Sequence, residues 1–238
     1  MIRFDAWIVR TFIADPSALD REVAALRLLD DIAEVPRLEH VDPTVPCIIV
    51  RYIEGVPFQQ LDTAGRRRAA PSIGHALARI GIFDPPEFSA DPPELGAVLG
   101  AECLNARLGD LATAVAAITK VAPPTQRRLV HGDFRKWNVL VRDDRCVGII
   151  DWERVHLGSP LEDLGLLLRY ERDGDPRFGA ELAAGFVAGG GFLDPDWRRT
   201  ARILDLAALC RSLADPSLPN AVEAELVAVV RGSLEDLG

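Results

Sequence analysis

With 238 residues, the chain has room for one large domain or two small lobes around a sizeable hydrophobic core. A composition of 48% hydrophobic and 26% charged residues excludes wholesale disorder. The net charge of −9 argues against nucleic acid or an anionic membrane as the main partner.

Lys120 and Lys136 are the only lysines, so arginine must supply most cations of any phosphate site. Cys47, Cys103, Cys146 and Cys210 are scattered without a CxxC pair, the pattern of buried reduced thiols. Charges at Arg3, Asp5 and Arg10 interrupt the first residues, which read as neither a signal peptide nor a membrane span. A cytoplasmic protein is expected.

In chain order, Trp7 to Ile13 is β-branched and aromatic, a strand. Asp15-Pro16 supplies an N-cap and a first-turn proline for a helix running to about Asp31, with Leu19, Val23, Leu26 and Leu29 as its apolar stripe. Glu22 falls within that stripe. Either it reaches water at the stripe's edge, or it pairs with Arg10 of the preceding strand, because a core-facing carboxylate needs a cation. Cys47 to Ile53 is a second strand, closed by the turn Glu54-Gly55-Val56-Pro57. The boundary between a small lobe, residues 1–53, and a larger helical lobe, residues 54–238, is placed there.

Helices are expected over Arg66–Ile80, over Glu94–Lys120 with a break near Gly109, and over Gly158–Tyr170, Pro176–Ala188, Pro195–Leu213 and Pro219–Leu234. Proline pairs at 85–86, 92–93 and 123–124 mark loops. The triplet Gly189-Gly190-Gly191 follows a helix and reads as a connector rather than a phosphate loop.

The stretch Leu129–Glu153, LVHGDFRKWNVLVRDDRCVGIIDWE, concentrates the chemistry. Two β-branched runs, Val139–Val141 and Cys146–Ile150, flank Arg142-Asp143-Asp144-Arg145, which signals a hairpin. Antiparallel pairing would bring Asn138 and Asp151 side by side as oxygen ligands for a hard cation. Mg2+ typically takes only one or two protein groups plus substrate phosphates.

HGDFRKWN, then IIDWE, then Gly158-x-Pro160-x-x-Asp163-Leu164 resembles the aminoglycoside phosphotransferase and choline kinase-like families. That resemblance implies an α+β, protein-kinase-like fold with a small β-containing N-terminal lobe and a mainly α-helical C-terminal lobe holding a catalytic hairpin. It also implies a role for each matching residue. Asp133 would be the catalytic carboxylate, and Asn138 and Asp151 would hold Mg2+ against the phosphates of ATP or GTP. Arg10, where the family usually carries Lys, would touch the nucleotide phosphates while paired to Glu22. Val50, Tyr52 and Ile53 would face the base. His131 is either a proton shuttle or a packing residue of the catalytic loop, Asp163 a brace for that loop. Glu153 either supports the metal residue or lies in a solvated turn.

The small lobe is expected to be short. No glycine occurs before Gly55, so the usual glycine-rich loop over the phosphates is missing from this sequence. An open sheet edge there would invite a homodimer. The resemblance leaves two functions in view. One is Mg-dependent phosphoryl transfer to a hydroxyl of an aminoglycoside-like or other small, cationic acceptor. The other is an impaired kinase fold that binds a ligand or partner without turnover.

Overall fold

The computed structural model describes residues 2–12, 15–83, 95–119, 128–169 and 175–237. The proline pairs, Lys120, Ile13 and Tyr170 named above lie outside these residues.

The small lobe is a four-stranded antiparallel sheet built from β1 (Ile2–Phe4), β2 (Trp7–Thr11), β3 (Leu38–Asp42) and β4 (Cys47–Arg51), in the order β1-β2-β4-β3. Arg10 lies opposite Ile48 in the central β2–β4 ladder, which fixes the face to which its side chain projects. Helix α1 (Pro16–Leu28) starts where expected, with the Asp15 carboxylate accepting the Ser17 N–H at 3.0 Å. Ala18, Leu19, Val23 and Leu26 bury its inner face. The helix stops at Leu28 rather than Asp31, yet Leu29 and Ile32 stay buried in the turns that follow.

Two strands depart from the sequence reading. The residues before Trp7, read as a mere lead-in, form β1, which turns into β2 through Asp5 at φ 45°. Strand β3, Leu-Glu-His-Val-Asp, had no expectation at all. Both occupy sheet edges, where residues need not alternate apolar and polar, so the usual strand signal is weak.

The chain then enters the larger lobe through β5 (Val56–Pro57) and a 3-10 turn at Phe58–Gln60. Helix α2 (Thr63–Gly81) begins three residues before the expected Arg66, because Asp62 caps it by accepting the Gly65 N–H at 2.7 Å. It crosses α7 (Phe178–Ala188) at backbone contact. A Cβ on Gly74 would lie 2.1 Å from the Leu182 carbonyl oxygen, and one on Gly185 would lie 2.0 Å from that of Pro71. Only glycine permits that approach.

Strands β7 (Val139–Arg142) and β8 (Arg145–Ile149) join β5 in a three-stranded sheet, while β6 (Arg128–Val130) pairs with β9 (His156–Gly158). The expected long helical region resolves into α3 (Leu95–Leu99), α4 (Glu102–Leu108) and α5 (Ala112–Thr119), with the break at Gly109, φ 54°. Helices α6 (Leu161–Leu168), α8 (Trp197–Leu213) and α9 (Asn220–Leu237) complete the lobe.

One apolar core runs from Leu26 and Ile48 through Phe58, Ile73 and Leu77 to Trp152 and Leu164, so it crosses from the small lobe into the large one. A second core, centred on Leu104, Val115, Leu206 and Val230, binds α3, α4 and α5 to α8 and α9. The β7–β8 hairpin belongs to the first core, through Val139, Val141, Cys146 and Ile149.

Candidate active site

The β7–β8 hairpin aligns Val139 with Ile149 and turns at Asp143 and Asp144, whose φ values of 52° and 58° are those of a type I′ turn. The Ile150 N–H donates to the Asn138 carbonyl at 2.9 Å, which carries the pairing one step past the strands. Asn138 and Asp151 therefore leave the mouth of the hairpin together. Asn138 is buried, and its Nδ2 donates to the Asp133 backbone carbonyl at 2.9 Å and to Asp133 Oδ2 at 3.1 Å. With the amide nitrogen so committed, Oδ1 is the end of Asn138 left to face a cation.

Asp151 has φ 73° and ψ 65°, a left-handed conformation that Asp tolerates better than most residues. Among the described residues, no group of three or more His, Cys, Asp or Glu side chains could hold a metal. The donor set of one amide oxygen and one carboxylate instead fits a hard cation shared with a phosphate-bearing substrate.

His131 is fully buried between the rings of Phe134, centroid distance 5.8 Å, and Trp152, 4.6 Å. Its Nδ1 accepts the Asp133 N–H at 3.2 Å, so Nε2 carries the proton and donates to the Ile150 carbonyl at 3.0 Å. Burial lowers its pKa and keeps the ring neutral. Both ring nitrogens are thus used inside the loop.

Asp163, also fully buried, accepts the His131 N–H at 2.8 Å and the Gly132 N–H at 3.0 Å. Burial pushes its carboxyl up to about 7 against the pull of those two donors. Gly132 turns between them at φ 77°, and a Cβ there would meet the Arg154 carbonyl oxygen at 2.3 Å.

Arg10 ties the lobes together. Its Nη2 lies 2.7 Å from Asp151 Oδ1, 3.2 Å from Glu22 Oε2 and 3.4 Å from Glu153 Oε2. Glu22 therefore pairs with Arg10 and does not reach water, being 2% exposed. The contact is off hydrogen-bond alignment, which leaves Glu22 Oε2 without a hydrogen-bond partner.

One guanidinium cannot satisfy three carboxylates. Burial, reinforced by Asp151 and Glu153, raises the Glu22 pKa to about 7 even though Arg10 opposes the shift. Glu153 sits half-exposed beside Arg10, and its backbone carbonyl accepts Arg21 Nε at 2.9 Å. A contact with the residue next but one to Asp151 thus joins α1 to the candidate metal residue.

Of the residues expected to face the base, Val50 is buried in β4 and Ile53 packs against Gly148 of the hairpin. The Tyr52 N–H is already committed to the Ala6 carbonyl at 2.8 Å, and the Tyr52 ring lies under the Arg3 guanidinium.

Sequence reading missed Arg135, two residues after Asp133. Its Nε stands 2.6 Å from Asp133 Oδ1 at an angle that makes an ion pair but no hydrogen bond, so both buried atoms lack a hydrogen-bond partner. A cation at that spacing within HGDFR was the available signal.

A family model described as "Phosphotransferase enzyme family" matches residues 3–203. No curated protein sequence matches the chain. Among solved structures, a choline/ethanolamine kinase family protein from Mesorhizobium loti is 21% identical, with a TM-score of 0.72 over 98% of this chain and 84% of its own. The macrolide 2'-phosphotransferase of Brachybacterium faecium is 20% identical, with a TM-score of 0.67 over 94% and 84%. The aminoglycoside phosphotransferase APH(2'')-IIa, solved with streptomycin and ATP, is 14% identical, with a TM-score of 0.69 over 98% and 87%. At these identities the likeness is one of fold, and it covers both lobes.

Proposed function

This chain belongs to the phosphotransferase enzyme family, and we propose on that footing that it moves the γ-phosphoryl group of ATP or GTP to a hydroxyl of a small acceptor. The observation that carries the reading is the Asn138 side chain. By donating to both the carbonyl and the carboxylate of Asp133, it locks the candidate base to the candidate metal residue, with Asp151 alongside.

In this reading Asp133 orients the acceptor hydroxyl and takes its proton. The hydroxyl oxygen bonds to Pγ as the bond from Pγ to the β-phosphate oxygen of the leaving nucleoside diphosphate breaks. Asn138 Oδ1 and Asp151 would hold Mg2+, which would neutralise charge on the nucleotide phosphates. Arg10 sits beside Asp151 and supplies a second positive charge toward the same phosphates. Asp163 and neutral His131 keep the loop carrying Asp133 in place, through bonds to backbone groups. Val50, Tyr52 and Ile53 would lie on the side of the base.

Aminoglycoside and macrolide phosphotransferases and a choline/ethanolamine kinase among the structural neighbours support a small hydroxyl-bearing acceptor. The acidic excess from Asp151 onward favours a cationic one. No described helix is long and apolar enough to cross a membrane. The four cysteines are unpaired, which supports a reducing cytoplasm. The exposed Ile2 and Phe4 on the β1 edge support pairing with a second copy, which light scattering would reveal.

The deciding experiment follows ADP release with Mg-ATP and a panel of aminoglycosides, macrolides and amino alcohols. Acceptor-dependent release that is lost in Asp133→Asn supports the reading. Tight Mg-ATP binding without release from any acceptor would favour the non-catalytic alternative.

A further inference from the structure

A second charged cluster, away from the phosphate side, presses on the catalytic loop from behind. We propose that His156, bridging the Arg154 carbonyl and a Glu162 carboxylate that Arg211 holds in turn, is a positioning residue that fixes the Gly132 turn and with it the carboxylate of Asp133.

Strand β9 places His156 opposite Val130, and β6 runs from Val130 directly into His131-Gly132-Asp133. His156 is 7% exposed, and both of its ring nitrogens face acceptors. Nδ1 lies 3.0 Å from the Arg154 carbonyl and Nε2 lies 3.3 Å from Glu162 Oε2. A neutral imidazole carries one N–H and can serve only one of these, while the imidazolium serves both.

Glu162, 4% exposed, uses its other oxygen to accept Arg211 Nη2 at 2.7 Å. Its chain neighbour Asp163 holds the His131 and Gly132 N–H groups. The loop thus meets two linked restraints on one face. A Cβ on Gly132 would come within 2.8 Å of His156 Nδ1, and within 2.3 Å of the Arg154 carbonyl that this nitrogen holds. The imidazole and that carbonyl are the wall against which the turn is pressed.

The charged groups facing His156 are Glu162 and Asp163 from α6 and Arg211 from α8. Two cations meet two carboxyls, and His156, Glu162 and Asp163 among them are buried. Burial lowers the His156 pKa, but the hydrogen bond and charge of Glu162 raise it further, so it ends above the ordinary value. Glu162 moves the opposite way: burial raises it, and His156 and Arg211 together bring it below the carboxylate range.

A raised histidine contributes its full stabilisation below about 6.5 and loses it as pH rises through the folded value. Once His156 is neutral, a ring lone pair must face either the Arg154 carbonyl or the Glu162 carboxylate, and the wall behind Gly132 slackens.

The kinetic part of the test rests on the phosphotransfer reading; the other parts do not. Nuclear magnetic resonance of isotope-labelled histidine in the full chain, assigned by His156→Gln, should show both ring nitrogens of His156 protonated at neutral pH. Hydrogen exchange at the His131 and Gly132 amides should accelerate as His156 titrates. In His156→Gln and in the milder Glu162→Gln, exchange there should be faster by about tenfold, the loss of one charge-assisted hydrogen bond. The pH step should also be absent.

With an acceptor in hand, kcat should fall on the alkaline side with that same titration while the KM for nucleotide stays level. A neutral His156 ring at neutral pH overturns the proposal even if His156→Gln fails to fold. Wild-type loop protection in a folded His156→Gln overturns it as well. A protonated His156 with a pH-linked loop, in a protein that turns over no acceptor, would sustain this inference and count against the catalytic reading.

Discussion

Arg10 Nη2 lies 2.7 Å from Asp151 Oδ1, so one hydrogen bond spans 141 positions of sequence and joins the small lobe's sheet to the mouth of the β7–β8 hairpin. Because the same guanidinium neutralises buried Glu22, removing it damages both the fold and the site. Arg10→Ala should destabilise by about 3 kcal/mol, the lower end for breaking a buried pair, because Glu22 can take up a proton instead of staying charged. Adding Glu22→Gln to Arg10→Ala should recover part of that loss. Urea midpoints of the two single variants and the double variant would measure it, and strictly additive effects would show that the pair is not coupled.

Glu22 also sets a pH dependence. Its carboxyl stands near 4.5 when unfolded and about 7 when folded. A raised carboxyl contributes stability below about 4.5 and loses it as pH rises through 7. Wild-type stability should therefore drop relative to Glu22→Gln between those values, by on the order of 2–3 kcal/mol. Chemical unfolding across that window, compared between the two proteins, checks both the sign and the position. A constant difference would rule out Glu22 as the titrating group.

The three residues around the hairpin mouth should separate by what they lose. Asp133→Asn should cut kcat by about 100- to 10,000-fold, the usual contribution of a positioned base, with nucleotide affinity near that of the wild type. Asp151→Ala and Asn138→Ala should instead abolish the Mg2+ dependence of nucleotide binding in calorimetry. Asn138→Ala should also lower kcat, since Asp133 then loses the amide that orients it.

Gly132→Ala tests the loop directly. Its φ of 77° alone costs a side chain about 1–3 kcal/mol, and the Cβ would sit 2.3 Å from the Arg154 carbonyl. Lower thermal stability and a fall in kcat beyond what the unfolded fraction explains are both expected. A variant with wild-type activity would show that the turn can relax without moving Asp133.

Much of the site was legible because its residues are close in sequence. Asn138 and Asp151 flank a single hairpin, Asp133 lies in the short loop that leads into it, and strand pairing across a four-residue turn needs no tertiary information. The cap at Asp15, the break at Gly109 and the pairing of Glu22 with Arg10 were readable for the same reason, each being a local rule or a conflict between neighbouring elements. Strands β1 and β3 were not, because an edge strand is defined by the partner it adds to and not by its own alternation. Arg135 was visible as a cation near Asp133, but its contact geometry depends on how the loop is folded.

The amino-acid sequence by itself determined which groups meet: two carboxylates and an amide in and around one hairpin, in a chain whose cations are nearly all arginine. Only the tertiary structure decided how those groups are held. Arg10 meets Asp151 because α1 packs on the turn after the hairpin, and Glu162 joins His156 to Arg211 because β9, α6 and α8 converge behind Gly132. The pairs Arg10–Asp151 and Glu162–Arg211 join residues far apart in the chain, and their charges sit in low-dielectric surroundings that form only when the core closes.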